Sequence, residues 1–206
     1  MSPKFIYFDL GNVLLFFDHA QACRQMAAVA GLTEAQVREA VFDSGVQLRY
    51  EGGELTSREA FDDFCTRTGT RPDYARLAYA AGAIFKINAS ITPVVAQLKA
   101  AGYRLGLLSN TCEMHWDYFA DGRYALIPEA FDTVTLSFRV GALKPDAKIY
   151  AAAAAAAGVR PEEIFFTDDT PGHVAAARAF GFDAVTYTDT PTLVRELTQR
   201  GVRFNY

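Results

Sequence analysis

Three apolar runs in this chain each stop abruptly on polar residues, and no other feature constrains the fold as much. Phe5-Ile6-Tyr7-Phe8 ends on Asp9, Tyr103 to Leu108 ends on Ser109-Asn110-Thr111, and Ile164 to Thr167 ends on Asp168-Asp169. Short apolar runs bounded by turn signals such as Gly11-Asn12 read as buried strands. Helical patterns alternate with them: Pro93 to Ala101 stopped by Gly102, Pro145 to Ala157 stopped by Gly158, and Pro171 to Phe180 stopped by Gly181. Proline at the first turn and glycine past the last mark each helix. Thr133 to Leu136 and Ala184 to Tyr187 add two strands, and Thr192 to Arg200 a last helix. Strands joined by helical crossovers imply an α/β fold, a doubly wound parallel sheet. In such a sheet the carboxyl ends of the strands lie together, and ligands bind there.

A different pattern fills the stretch after Leu15. Phe16 to Ala83 contains no convincing strand. Asp18 to Ala30 reads as a helix ended by Gly31, and Thr33-Glu34 starts another that runs to about Asp43. Thr56-Ser57-Arg58-Glu59 fits a capping box. Pro72-Asp73-Tyr74 begins a further helix. This helical block leaves from the end of the first strand, the position of a lid. Arg49-Tyr50-Glu51, before Gly52-Gly53, is either an ordinary loop or a lid turn that selects the substrate. Seven consecutive alanines, Ala151 to Ala157, favour helix and carry no functional signal.

The length of 206 residues suits one domain, or a domain with an insertion. A net charge of −4 disfavours nucleic acid or an anionic membrane as the main partner. Cys23, Cys65 and Cys112 are odd in number and far apart, which points to a reduced compartment. With no signal segment and no apolar run of membrane-spanning length, the expected location is cytoplasmic. His19, His115 and His173 have no metal-binding spacing, although His19 and His115 follow site strands closely.

The strand ends Asp9, Ser109-Asn110 and Asp168-Asp169 converge with a fourth element, Gly141-Ala142-Leu143-Lys144-Pro145. Asp9, Asp168 and Asp169 form an oxygen-rich site for a hard cation, Mg²⁺ before others. Lys144 neutralises a bound anion, and Ser109 with nearby backbone N–H groups hydrogen-bonds its oxygens. An aspartate beside a metal and a lysine is equipped to attack phosphorus. Asp168-Asp169 also suits a solvated turn, and Ser109-Asn110 simple capping.

FDLGNVL, LLSNT, GALKPD and FFTDD, in this order, resemble the four motifs of the haloacid dehalogenase-like hydrolase superfamily. The resemblance covers nearly the whole chain. It is closest to the glucose-1-phosphate phosphatase-like group, which also resembles the phosphatase domain of soluble epoxide hydrolase. It implies a Rossmann-like core over residues 1–15 and 88–206, sheet order 5-4-1-2-3, and a helical cap over 16–87. It implies Asp9 as nucleophile, Ser109 and Asn110 as phosphate-binding, and Lys144 as the group that stabilises charge. It implies Mg²⁺ on Asp9, the Gly11 carbonyl and Asp169, with Asp168 supporting or sharing the metal. The implied substrate is a small phosphorylated metabolite, a sugar phosphate among the options, handled by a monomer or a homodimer.

One departure matters. Most phosphatases of this superfamily place a second Asp two residues after the nucleophile as general acid, and here that residue is Gly11. A positioned acid contributes roughly 10²–10⁴-fold. Substrates with an acidic leaving oxygen, such as sugar 1-phosphates, are therefore favoured. Two alternatives remain: a 2-haloacid dehalogenase, which needs no metal, and a binding protein that kept the fold and lost turnover.

Overall fold

The computed structural model describes residues 2–206. Its central sheet is built from β1 (Phe5–Phe8), β4 (Arg104–Ser109), β5 (Thr133–Leu136), β6 (Ile164–Asp168) and β7 (Asp183–Thr186). All pairings in it are parallel, in the order β5-β4-β1-β6-β7. This matches the expected order, with the first strand at the centre and the direction of winding reversing beside it.

The crossovers are α6 (Thr92–Ala100), α7 (Glu113–Phe119), α8 (Ser137–Val140) with α9 (Ala147–Ala157), and α10 (Pro171–Phe180); α11 (Thr190–Gln199) follows the last strand. Period-two alternation in β1 splits the core into two layers. Ile6 and Phe8 pack with Val94, Val95 and Leu98 of α6 and with Leu193 and Leu197 of α11. Phe5 and Tyr7 pack with Ile149, Ala153 and Ala157 of α9 and Ala177 of α10. Both faces are buried, which is why β1 reads as an unbroken apolar run. The alanines let α9 approach the sheet closely enough for Tyr7 to donate its hydroxyl to the Ala153 carbonyl at 2.9 Å. Gly106 opposite makes room for the ring, since a Cβ there would lie 2.3 Å from Tyr7 Cε1.

Between β1 and α6 lie α1 (His19–Ala30), α2 (Glu34–Arg38), α3 (Val46–Glu51), α4 (Ser57–Thr68) and α5 (Tyr74–Gly82). The capping box at Thr56 forms: Thr56 N donates to Glu59 Oε2 at 2.8 Å, and Glu59 N donates back to Thr56 Oγ1. Cys23, Met26, Val37, Phe61, Phe64 and Leu77 give these helices a core of their own. Two expectations need correction. The helix from Thr33 does not run evenly to Asp43, because Glu39–Asp43 widens into a π turn. The stretch after Leu15 also begins with a strand, since β2 (Leu15–Phe17) pairs antiparallel with β3 (Phe85–Ile87). Three-residue strands offer too little alternation to stand out from a helical background.

This ribbon carries the chain out to the helices and back. Asn88, buried at its foot, donates its amide to Val13 O at 2.8 Å and Tyr187 Oη at 2.9 Å, while its N–H reaches Leu14 O. One side chain thus ties the outgoing and returning chain to the core. Among the described residues no helix is long and apolar enough to cross a membrane.

Candidate active site

Parallel pairing fixes the site. Phe8 is level with Leu107 of β4 and Thr167 of β6, so one step further Asp9 falls between Leu108 and Asp168. Asp9 N donates to Thr167 O at 2.9 Å, which holds the residue at the sheet edge. The residue is buried, with 9 % of its side chain exposed. Leu10 N donates to Asp9 Oδ1 at 2.7 Å, and Lys144 Nζ lies 2.8 Å from the same oxygen. Both contacts fall on Oδ1, which leaves Oδ2 free of protein partners among the described residues.

Lys144 is buried and donates to Leu108 O at 3.0 Å and Asp168 Oδ2 at 2.5 Å. The Asn110 side chain positions it by accepting from Lys144 N at 2.7 Å and donating to Lys144 O at 3.0 Å. The Asn110 amide therefore acts on the lysine loop, a use that its strand-end position did not reveal. Ser109 is buried beside it. Ser137 clamps the next residue, accepting from Thr111 N at 2.9 Å and donating to Thr111 O at 3.0 Å.

The two acids after β6 differ. Asp168 Oδ1 accepts from Thr170 N at 2.8 Å, and His173 Nδ1 lies 3.1 Å from it. With Lys144 on Oδ2, both oxygens of Asp168 are engaged. Asp169 accepts from Asn12 Nδ2 at 3.0 Å, and among the described residues its other oxygen meets only the Thr170 hydroxyl at 3.3 Å. Asn12 takes φ 54°, a left-handed turn that asparagine tolerates, and this delivers its amide to Asp169. His173 and Asn12 were not singled out in the sequence as site residues. Their only signals are proximity, five residues after Asp168 and three after Asp9.

Burial pushes the Asp9 carboxyl up to about 6, against the pull of Lys144 and with a further push from Asp168. Burial alone would lower the Lys144 pKa, but Asp9 and Asp168 outweigh it and hold the ammonium above its usual range. For Asp168, burial is outweighed by Lys144 and His173, so its carboxyl sits below the usual range. Asp9, Asp168 and Asp169 each bring a carboxylate oxygen within 4.8 Å of one another. Three carboxylates against one ammonium leave an excess of negative charge in an oxygen-only donor set, which suits a hard divalent cation.

Gly11 has no side chain to offer, and Phe17 closes the space above it. A Cβ on Gly11 would lie 2.9 Å from Phe17 Cε1. The Phe17 ring in turn packs against His19 at 4.9 Å and Phe85 at 6.2 Å between centroids. His115 is buried against Phe85 at 5.2 Å, and burial, with His19 adding, pushes its pKa down to about 4. In the unfolded chain it titrates near 6.5. Between those values the unfolded chain binds the proton more readily, so stability is full above about pH 6.5 and falls as pH drops towards 4. Urea unfolding at pH 7.5 and pH 5 should show a loss of roughly 2 kcal/mol from this group. His115→Gln should shrink that loss; an unchanged loss would show that other groups cause it.

The family model of haloacid dehalogenase-like hydrolases matches residues 3–181. The chain belongs to this family. It is 25% identical to the D-ribitol-5-phosphate phosphatase of Bacteroides thetaiotaomicron over 205 residues, covering 95% of this chain and 97% of that protein. It is 26% identical to the (S)-2-haloacid dehalogenase of Pseudomonas putida, covering 86% of this chain and 81% of that one. A 33% identical match to bifunctional epoxide hydrolase 2 of Sus scrofa covers 54% of this chain and only 20% of that protein. Among solved structures, a magnesium complex of a family enzyme from Bacteroides thetaiotaomicron superposes with a TM-score of 0.81 at 26% identity, covering 95% of this chain and all of that one.

Proposed function

We propose that this chain is a Mg²⁺-dependent phosphatase of small phosphorylated metabolites, sugar phosphates among them, acting through an aspartyl-phosphate on Asp9. The observation that carries this reading is the cluster of Asp9, Asp168 and Asp169 around a buried Lys144. The phosphatase and magnesium-complex relatives support it. The dehalogenase relative and Gly11 favour the second reading, a 2-haloacid dehalogenase, for which an acidic cluster of this kind has no use.

Asp9, Asp169 and the Gly11 carbonyl are the ligands we assign to Mg²⁺, with Asp168 in support because Lys144, Thr170 and His173 already occupy its oxygens. When bound, Mg²⁺ neutralises phosphoryl oxygens and holds Asp9 ionised. A carboxylate oxygen of Asp9 then bonds to phosphorus as the bond to the leaving oxygen breaks. The leaving alkoxide takes a proton from water or a neighbouring group. Water next cleaves the aspartyl-phosphate, releasing phosphate and restoring the carboxylate. Lys144 stabilises the charge on the transferring group. The Ser109 hydroxyl and the main chain at Asn110 bind its oxygens, while the Asn110 amide keeps Lys144 in place.

We divide the chain into a catalytic core, 1–15 and 88–206, and a helical cap, 16–87. The β2–β3 ribbon and the Asn88 anchor support this division. Cys23, Cys65 and Cys112 are all free and buried, which fits a reducing compartment and a cytoplasmic setting. A monomer and a homodimer are equally compatible with it.

Acetyl phosphate hydrolysis measured with Mg²⁺, and again after exhaustive chelation, tests the reading. Chelation should cut the rate at least about tenfold, with recovery on adding Mg²⁺ back. Full activity without metal, together with halide release from 2-chloropropionate, would replace the phosphatase with the dehalogenase.

A further inference from the structure

The turn between β1 and β2 places a left-handed residue three positions after Asp9, and that residue is Asn12. Glycine would hold φ 54° without strain, so the backbone alone does not require a side chain there. The turn also has main-chain support of its own. Leu14 N and Leu15 N both donate to Leu10 O, and Asn12 N donates to Leu15 O at 2.8 Å. The Asn12 amide is left to reach across the sheet edge, where it donates to Asp169 Oδ2 at 3.0 Å. Both residues stand in the wall of a groove of about 410 Å³, with Phe16, Ser90, Thr188 and Asp189. No lysine or arginine lines that groove, and Asn12 is the one donor on Asp169 Oδ2 among the described residues.

The three acids of the site share a pattern. Asp9 Oδ1 is taken by Leu10 N and Lys144, which leaves Oδ2. Asp169 Oδ2 is taken by Asn12, which leaves Oδ1 with a long contact of 3.3 Å to the Thr170 hydroxyl. Both oxygens of Asp168 are engaged by Lys144, Thr170 and His173. The two carboxylates assigned to the metal therefore offer one oxygen each. Single oxygens suit the small octahedral shell of Mg²⁺. Ca²⁺ takes about six to eight oxygens and readily uses both oxygens of one carboxylate. At Asp9 the restricting donors include the catalytic lysine. At Asp169 the restriction comes from Asn12 alone.

We infer that Asn12 is a positioning residue that sets the metal preference of the site: by holding Asp169 Oδ2 it leaves a single oxygen for the cation and favours Mg²⁺ over Ca²⁺. This rests on the Mg²⁺ assignment of the phosphatase reading and adds the residue that selects the ion. Without the amide, Asp169 loses its orientation, and Oδ2 becomes available to a larger ion that uses both oxygens.

The test is thermal unfolding of the substrate-free protein over concentration series of magnesium chloride and of calcium chloride. A cation that binds the folded state raises the melting temperature with its concentration, which yields an apparent Kd. Asp169→Asn reports the response to ions bound elsewhere, which is subtracted. Asn12→Gly keeps the left-handed turn and removes the amide. Asn12→Asp also tolerates the turn, keeps the side-chain length and replaces the donor with an acceptor. Asn12→Gly should weaken Mg²⁺ binding at least about tenfold. In both variants the ratio of Mg²⁺ to Ca²⁺ affinity should fall at least about fivefold. An unchanged ratio in both variants overturns the inference. A fall confined to Asn12→Gly overturns it too, because a loosened turn would then be the cause. In either case a wild type that still responds to Mg²⁺ leaves the phosphatase reading standing. A wild type with no response to Mg²⁺ removes the metal assignment and the inference together.

Discussion

Asp9→Asn should abolish phosphate release, by roughly 10⁴–10⁶-fold, while leaving the fold intact. The amide has the same shape but no charge and little nucleophilicity. The surroundings explain why the fold survives. Lys144 keeps its partner Asp168 at 2.5 Å and its bond to Leu108 O, so the substitution leaves no unpaired buried cation. Burial raises the Asp9 pKa to about 6, so ionised Asp9 works against folding once pH passes that value. The sign follows from linkage: an acid with a raised folded pKa contributes its full stability below its unfolded pKa and loses it as pH rises through the folded value. In metal-free protein at pH 7.5, Asp9→Asn should therefore melt at the same temperature as wild type or higher. Such a trade of stability for activity is common at catalytic positions. Thermal unfolding in chelator and phosphate release with Mg²⁺ check the two halves. Substantial turnover by Asp9→Asn would remove Asp9 as nucleophile, whatever the melting temperature shows.

The sequence made the sheet and its edge legible because each buried strand ended on a polar residue. Asp9, Ser109 and Asp168 stand out since an apolar run cannot hide a charge or a hydroxyl. Lys144 was legible from its place before a helix. Its burial was not, because nothing local in GALKP distinguishes a buried lysine from a surface one. Burial arises when parallel pairing brings Asp9 and Asp168 to either side of the ammonium. The reciprocal bonds of Asn110 to the Lys144 main chain span 34 residues and could not be read from either segment alone. His173 had the wrong spacing for a metal site, and its link to Asp168 depends on the turn at Thr170. The β2–β3 ribbon was missed because three residues show too little alternation, although its Phe17 decides how Gly11 is enclosed.

That enclosure shapes the last expectation, an unusually steep dependence of rate on the leaving group. No side chain at Gly11 protonates the departing oxygen, so an alkoxide carries more of its own barrier. Aryl and anomeric phosphates should outpace esters of ordinary alcohols by about 10²-fold or more. Installing the missing acid by Gly11→Asp is obstructed by a specific neighbour. The new Cβ would lie 2.9 Å from Phe17 Cε1, and Phe17 is braced by His19 and Phe85. The single substitution should therefore disturb the ribbon and narrow the gap only weakly. Gly11→Asp combined with Phe17→Ala removes the clash and opens room for the carboxyl beside Asp9. The double variant should narrow the gap between aryl and alkyl phosphates by about tenfold relative to Phe17→Ala alone. The measurement is kcat/KM across a leaving-group series for the wild type, both single variants and the double variant, with circular dichroism to confirm the fold. A flat series in the wild type would mean that another group already supplies the proton. His19 is the first to test: it packs on the ring that covers Gly11, and its depressed pKa leaves it mostly neutral, so a dependence on His19 would appear as a rate that rises as pH falls.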